Sequence, residues 1–185
     1  MMKTPVWFLY CLMLPLPAFA QDRSPPYSGQ QGREIKALSQ DEVKGYMIGQ
    51  GMGLAKAAEL NGYPGPLHVL ELAAQLQLSE AQKRRAEEIR GTMLSKATSL
   101  GKAIVEKETE LDTLFATGKI NETKLRALAA DIARLQGALR IAHLRAHLML
   151  KPILTPAQVK RYSELRGYDG KAAGGQHEGS QHNVR

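Results

Sequence analysis

The residues best suited to chemistry are His143 and His147, in the run His143-Leu144-Arg145-Ala146-His147. Two histidines one helical turn apart hold their Cβ atoms roughly 5–6 Å from each other, so both rings can reach one divalent zinc, nickel or copper ion. Two ligands do not close a site, and a third has to come from another element. His68 is the candidate, with Glu71 one turn away and Met93 as a softer donor. Arg140 and Lys151 share the face of the histidine pair and oppose a cation there. The competing reading makes the pair polar positions beside an apolar seam. The run also lacks the H-E-x-x-H pattern of a zinc hydrolase. Met47, Met52, Met93 and Met149 admit a copper reading, but thioethers at helical spacing serve equally as adaptable apolar surface. That adaptability makes Met47 and Met52, together with the basic run Lys83-Arg84-Arg85, candidates for a surface that accepts varied apolar segments.

The N-terminus decides which chemistries remain. Residues 1–20 carry Lys3, an apolar run from Val6 to Leu16, and Ala18-Phe19-Ala20 before Gln21, the pattern of a secretory signal peptide cleaved after Ala20. The apolar run falls short of the roughly 20 residues that span a bilayer, so no transmembrane anchor is expected. Tyr10 before Cys11 does not fit a lipoprotein signal. Cleavage removes the only cysteine, and with it disulfides, thiol nucleophiles and thiolate ligands. It also removes Lys3, lowering the net charge of +7 by one and leaving a basic exported protein. Nucleic acid is not an expected partner, because the basic residues are not interleaved with aromatics. No nucleophile elbow and no carboxylate pair of demonstrable closeness stands out, so no enzyme is expected.

The remaining chain reads as helices. Residues 21–37, rich in Gln, Gly, Ser and Pro, form an expected flexible leader. A first helix starts at Ser39 with the capping box Ser39-Gln40-Asp41-Glu42 and runs to Asn61-Gly62. Gly45, Gly49, Gly53 and Ala57 recur in it every four residues, a ridge of small side chains for close contact with a neighbour. Gly49-Gln50-Gly51-Met52-Gly53 lacks the G-x-G-x-x-G spacing of a nucleotide loop. Tyr63-Pro64-Gly65-Pro66 is a turn, followed by a short helix over Leu67 to Leu76 with Leu67, Leu70 and Ala74 facing inward.

Two long helices follow. The first, Ser79 to about Thr117, carries the stripe Ile89, Met93, Ala97, Leu100, Ile104, Leu111 and Leu114. Gly118 ends it, and Asn121 caps the next. Asn121-Glu122-Thr123 also matches a glycosylation acceptor, but the cap accounts for the Asn. The second long helix, about Glu122 to Lys151, has Leu125, Leu128, Ile132, Leu135, Leu139, Ala142, Ala146 and Met149 in steps of three and four, a seam that folds back on its predecessor. Ile141, Leu144 and Leu148 widen it. A final helix runs from Pro156 to about Arg166, and residues 169–185, with His177 and His182, read as a polar disordered tail.

Two pentapeptides bracket the hairpin: Leu78-Ser79-Glu80-Ala81-Gln82 and Leu154-Thr155-Pro156-Ala157-Gln158. Each is a helix start in which the hydroxyl accepts the N3 amide and the Gln reaches back to the cap amide. Local bonding of this kind accounts for Leu78, Ser79, Gln82, Leu154, Thr155 and Gln158 as punctuation.

Two L-[ST]-x-x-Q motifs around a long hairpin, behind a signal peptide and in a cysteine-free body, resemble the periplasmic LTxxQ-motif family of Spy/CpxP-like chaperones and heavy-metal sensor or resistance proteins. The resemblance covers roughly residues 40–168, with Ser79 standing where the motif has Thr. It implies an all-α fold, a long antiparallel helical hairpin with short flanking helices in a cradle over residues 38–168, and a periplasmic homodimer. It further implies ATP-independent holding of unfolded envelope proteins without a required cofactor, or metal binding at His143 and His147 that signals to a membrane-bound sensor partner.

Overall fold

The computed structural model describes residues 25–169. The segment read as a signal peptide and the tail histidines His177 and His182 lie outside that range. The chain divides into two compact units at Gly32. In the first, residues 25–32 are a run of turns. The second, from Arg33 onward, is all-helical among the described residues: α1 Gln40–Met47, α2 Lys56–Glu59, α3 Pro66–Glu71, α4 Glu80–Ala116, α5 Glu122–Leu150 and α6 Pro156–Leu165, with a 3-10 turn Lys151–Ile153 before α6. No described helix is long and apolar enough to cross a membrane.

The hairpin of α4 and α5 is antiparallel. Ala86 and Ile89 near the start of α4 pack with Ala146 and Leu150 near the end of α5, while Ala97 and Ile104 meet Leu135 and Leu139 further along. At 1.5 Å per residue, α4 is about 55 Å long. It is stopped by Gly118 at φ 65°, where Lys119 N–H donates to Leu114 O (2.9 Å) in a Schellman closure. Asn121 then caps α5, accepting from Lys124 N–H at 3.0 Å.

Both pentapeptides form complete capping boxes. Ser79 Oγ accepts from Gln82 N–H and Thr155 Oγ1 from Gln158 N–H, each at 3.2 Å, while each Gln Oε1 accepts its own cap amide at 2.9 Å. Their role does not stop there. Gln82 Nε2 donates to Gln158 Oε1 (2.8 Å) and to Ile153 O (2.9 Å), and Gln158 Nε2 donates back to Gln82 Oε1 (3.1 Å) and to Leu76 O (3.2 Å). The motifs therefore clasp each other across the open end of the hairpin, which corrects the reading of them as purely local punctuation. Leu78 and Leu154 are buried beneath the clasp with Val69, Leu76 and Tyr162.

Three further expectations are revised. The first helix ends at Met47, because Gly49 and Gly53 adopt φ of 68° and 78°, left-handed values that break a helix. The ridge is thus broken by turns at Gly49 and Gly53, with Gly45 in α1 and Ala57 in α2. Close helix contact comes instead from Gly101 of α4, against which the Tyr46 carbonyl of α1 rests. α3 stops at Glu71, and its buried side is Pro66 and Val69; Leu67 and Ala74 are exposed. Finally, the end of the expected leader is packed: Ile35 is buried, and Lys36 gives its backbone N–H to Asp112 Oδ1 and its ammonium to Oδ2, both at 3.1 Å.

Candidate functional site

At the open end of the hairpin a cavity of about 690 Å3 lies among the turns at 48–55, α2, α3, α4, α5 and the end of α6. The turns supply Ile48 and Met52, the latter at φ 41°, uncommon for a side chain with a Cβ. Leu60 and Leu67 add apolar rim, and Met93 and Leu94 come from α4. Ile48, Met52, Leu60 and Leu67 are all exposed, Ile48 by 54% and Leu60 by 57%. Lys56, Arg90 and Arg166 line the same cavity, with Glu59 as its carboxylate.

His143 and His147 line it from α5, and both rings are buried, at 5% and 9% exposure. His147 Nδ1 lies 2.8 Å from Tyr63 O. A carbonyl only accepts, so Nδ1 is the donor of this bond. Glu59 Oε2 stands 3.5 Å from the same Nδ1. Glu59 Oε1 accepts from the buried Tyr162 hydroxyl and lies 3.8 Å from Arg166 Nε. Burial, and then the Glu59 carboxylate, push the Tyr162 phenol far above its ordinary range, so it stays a donor. One acid in this way joins α2, α5 and α6.

His143 differs: its Nε2 is buried and, among the described residues, without a hydrogen bond. Burial, and then the nearby His147, hold its pKa below the ordinary 6.5. Above pH 6.5 the ring is neutral folded or unfolded; as pH falls through that value the unfolded chain takes the proton first, and stability drops until the depressed folded pKa is passed. Glu108, raised by burial, works in the opposite sense but equally in wild type and variant. His143→Gln is therefore expected to flatten the fall in urea midpoint between about pH 7 and pH 5. An unchanged slope would show that His143 does not carry it.

The sequence candidates fare unequally. His68 lines the cavity, but its Nδ1 is held at 2.8 Å by Glu71 Oε2 on its own short helix. Among the described residues no group of three His, Cys, Asp or Glu is arranged to hold a metal, so the expected third ligand is not brought to the pair. Arg140 does not line the cavity, and the Lys151 ammonium sits 3.7 Å over the Tyr63 ring; the cations that do line it are Lys56, Arg90 and Arg166. Met52 is on the rim, whereas Met47 is exposed outside it. Lys83, Arg84 and Arg85 also lie outside, with Lys83 tied to Glu80 (2.7 Å) and Arg85 to Glu88 (2.8 Å). Sequence reasoning missed Glu59 and Arg90. Glu59 belongs to no motif, but Arg90 lies seven residues from Lys83 and so on its helix face, a spacing that could have found it.

A family model described as heavy-metal resistance matches residues 51–161, more than half of the chain, and spans Glu59, Arg90, both histidines and both pentapeptides. No curated protein and no solved structure matches the chain. The match agrees with the resemblance read from the LTxxQ motifs, and on it the chain belongs to the heavy-metal resistance family.

Proposed function

We propose that this protein is a periplasmic holding chaperone that binds unfolded envelope proteins without nucleotide and without catalysis. One observation carries the reading: Ile48, Met52, Leu60 and Leu67, all exposed and apolar, converge on a single open cavity. Apolar groups left in water around a concavity mark a binding surface, and each buried by a client returns about 25 cal/mol per Å2. Met52, on a turn rather than in a helix, can re-pack around different side chains. Export to the periplasm follows the signal-peptide pattern in residues 1–20, and a homodimer and a membrane-bound sensor partner follow the family resemblance.

His143 and His147, buried and adjacent on the cavity wall, favour a second reading in which a zinc, nickel or copper ion is held. It needs a third donor, which no described His, Cys, Asp or Glu supplies; Glu59 stands 3.5 Å from the Nδ1 of His147, the nitrogen already given to Tyr63 O. A single preparation tests both. The purified protein is expected to slow aggregation of a chemically unfolded client at equimolar ratio, and Ile48→Ser with Leu67→Ser to lose most of that effect; a wild type that leaves aggregation untouched sinks the chaperone reading. Calorimetry with the three metals serves the second: no micromolar heat, or one that survives His143→Ala with His147→Ala, removes it.

A further inference from the structure

The cavity carries an unspent charge that says which apolar segments it takes. Lys56 and Arg90 line it, and among the described residues neither side chain makes a hydrogen bond or an ion pair. Arg90 is half-buried, whereas Lys56 is exposed. Among the described residues the one acid of the cavity is Glu59, and it is already engaged by Tyr162, Arg166 and His147. What faces an incoming segment is therefore an apolar rim with two free cations. By contrast Lys83 and Arg85, the more conspicuous basic residues in the sequence, are occupied by Glu80 and Glu88.

We propose that the segments selected here are apolar stretches bearing a carboxylate side chain, the acid seated on Arg90 and Lys56 and its apolar neighbours on Ile48, Met52, Leu60 and Leu67. The inference rests on the chaperone reading and names its substrate class. Three physical terms agree on it. A carboxylate matches the planar guanidinium fork of Arg90 with two parallel hydrogen bonds. Partial burial lowers the effective dielectric around that pair, so it counts for more than an exposed one. The third term is penalty: a neutral apolar segment covers Arg90 and leaves its charge desolvated and unpaired, and a basic segment meets like charge.

Short labelled peptides sharing one apolar sequence, with a central Glu, Gln or Lys, test this by fluorescence anisotropy against the full mature chain. The Glu peptide is expected to bind about tenfold more tightly than the Lys peptide at low salt, with Gln between, and the spread is expected to shrink when screening shortens the Debye length to about 3 Å at 1 M salt. Lys56→Glu with Arg90→Glu is expected to invert the order, and the milder Lys56→Gln with Arg90→Gln to abolish it should the reversal not fold. Equal binding of the three peptides overturns the inference while leaving the chaperone reading intact, as does an order that survives either double variant. If no peptide binds and no client is protected, both fall. Binding of dodecanoate with no peptide binding also overturns the inference, since the occupant would then be a small anionic amphiphile.

Discussion

Tyr162→Ala is expected to destabilise the protein by about 3–5 kcal/mol, the range for truncating a large buried aromatic, seen as a lower urea midpoint at unchanged slope. The side chain is 1% exposed and packs in the cluster of Val69, Leu76, Leu78, Ile89, Leu150 and Leu154 that joins α6 to the open end of the hairpin. Its hydroxyl also donates to Glu59. Alanine therefore leaves an apolar void and a largely buried carboxylate short of a donor, two costs that add. A domain of this size has a total stability of about 5–15 kcal/mol, so the loss is a large share of it. Tyr162→Phe separates the two terms, since it keeps the ring and removes only the hydroxyl, at an expected cost of about 1–3 kcal/mol. Should Phe prove as damaging as Ala, the packing account of this residue is wrong.

Gly101→Ala is expected to destabilise by about 1–3 kcal/mol although alanine is the better helix former. Gly101 is buried in the middle of α4, and a Cβ there would overlap the carbonyl of Tyr46 at the end of α1. Backbone cannot swing aside as a side-chain tip does, so α1 must lift from α4. Faster protease cleavage between residues 40 and 55 is the second readout, because the turns carrying Ile48 and Met52 follow α1 directly. Gly91→Ala and Gly137→Ala supply the contrast: both are helical glycines whose added Cβ meets nothing within 4 Å, so each should stabilise by up to about 1 kcal/mol. If Gly101→Ala stabilises as they do, α1 is not seated as described.

Much of the fold was legible because its signals are local. The boxes at Ser39, Ser79 and Thr155, the Asn121 cap and the Gly118 stop each involve residues within one or two turns, and all appear where the spacing puts them. The stripe on α5 was equally plain from Leu128 to Ala146, but Met149, Ile141 and Leu148, which the spacing put on the apolar face, are exposed, and Leu150 takes the buried place at its end. The glycines after Met47 were not plain, because a step of four describes a helical ridge and a succession of tight turns alike. Packing separated the two: at Gly49 a Cβ would press on Thr98 and Leu94 of α4, so the chain turns there with a glycine at positive φ.

The site was legible only in part for the same reason. His143 and His147 announce themselves by a four-residue spacing, and burial on one wall follows from their place beside the seam. Lys83-Arg84-Arg85 announces itself as loudly but lies outside the cavity, while the single Arg90 lines it.

Sequence by itself determined the all-helical class, the hairpin, its turn and its caps, since each is written in contacts among near neighbours. Tertiary structure decided what those parts do together. It joined Gln82 to Gln158 across 76 residues and Tyr162 to Glu59 across 103, and among the described residues it gave Arg90 and Lys56 no partner at an apolar mouth. Such pairings depend on where α2, α3 and α6 come to rest on the long helices, and no local hydrogen-bond pattern or hydrophobic period encodes that placement.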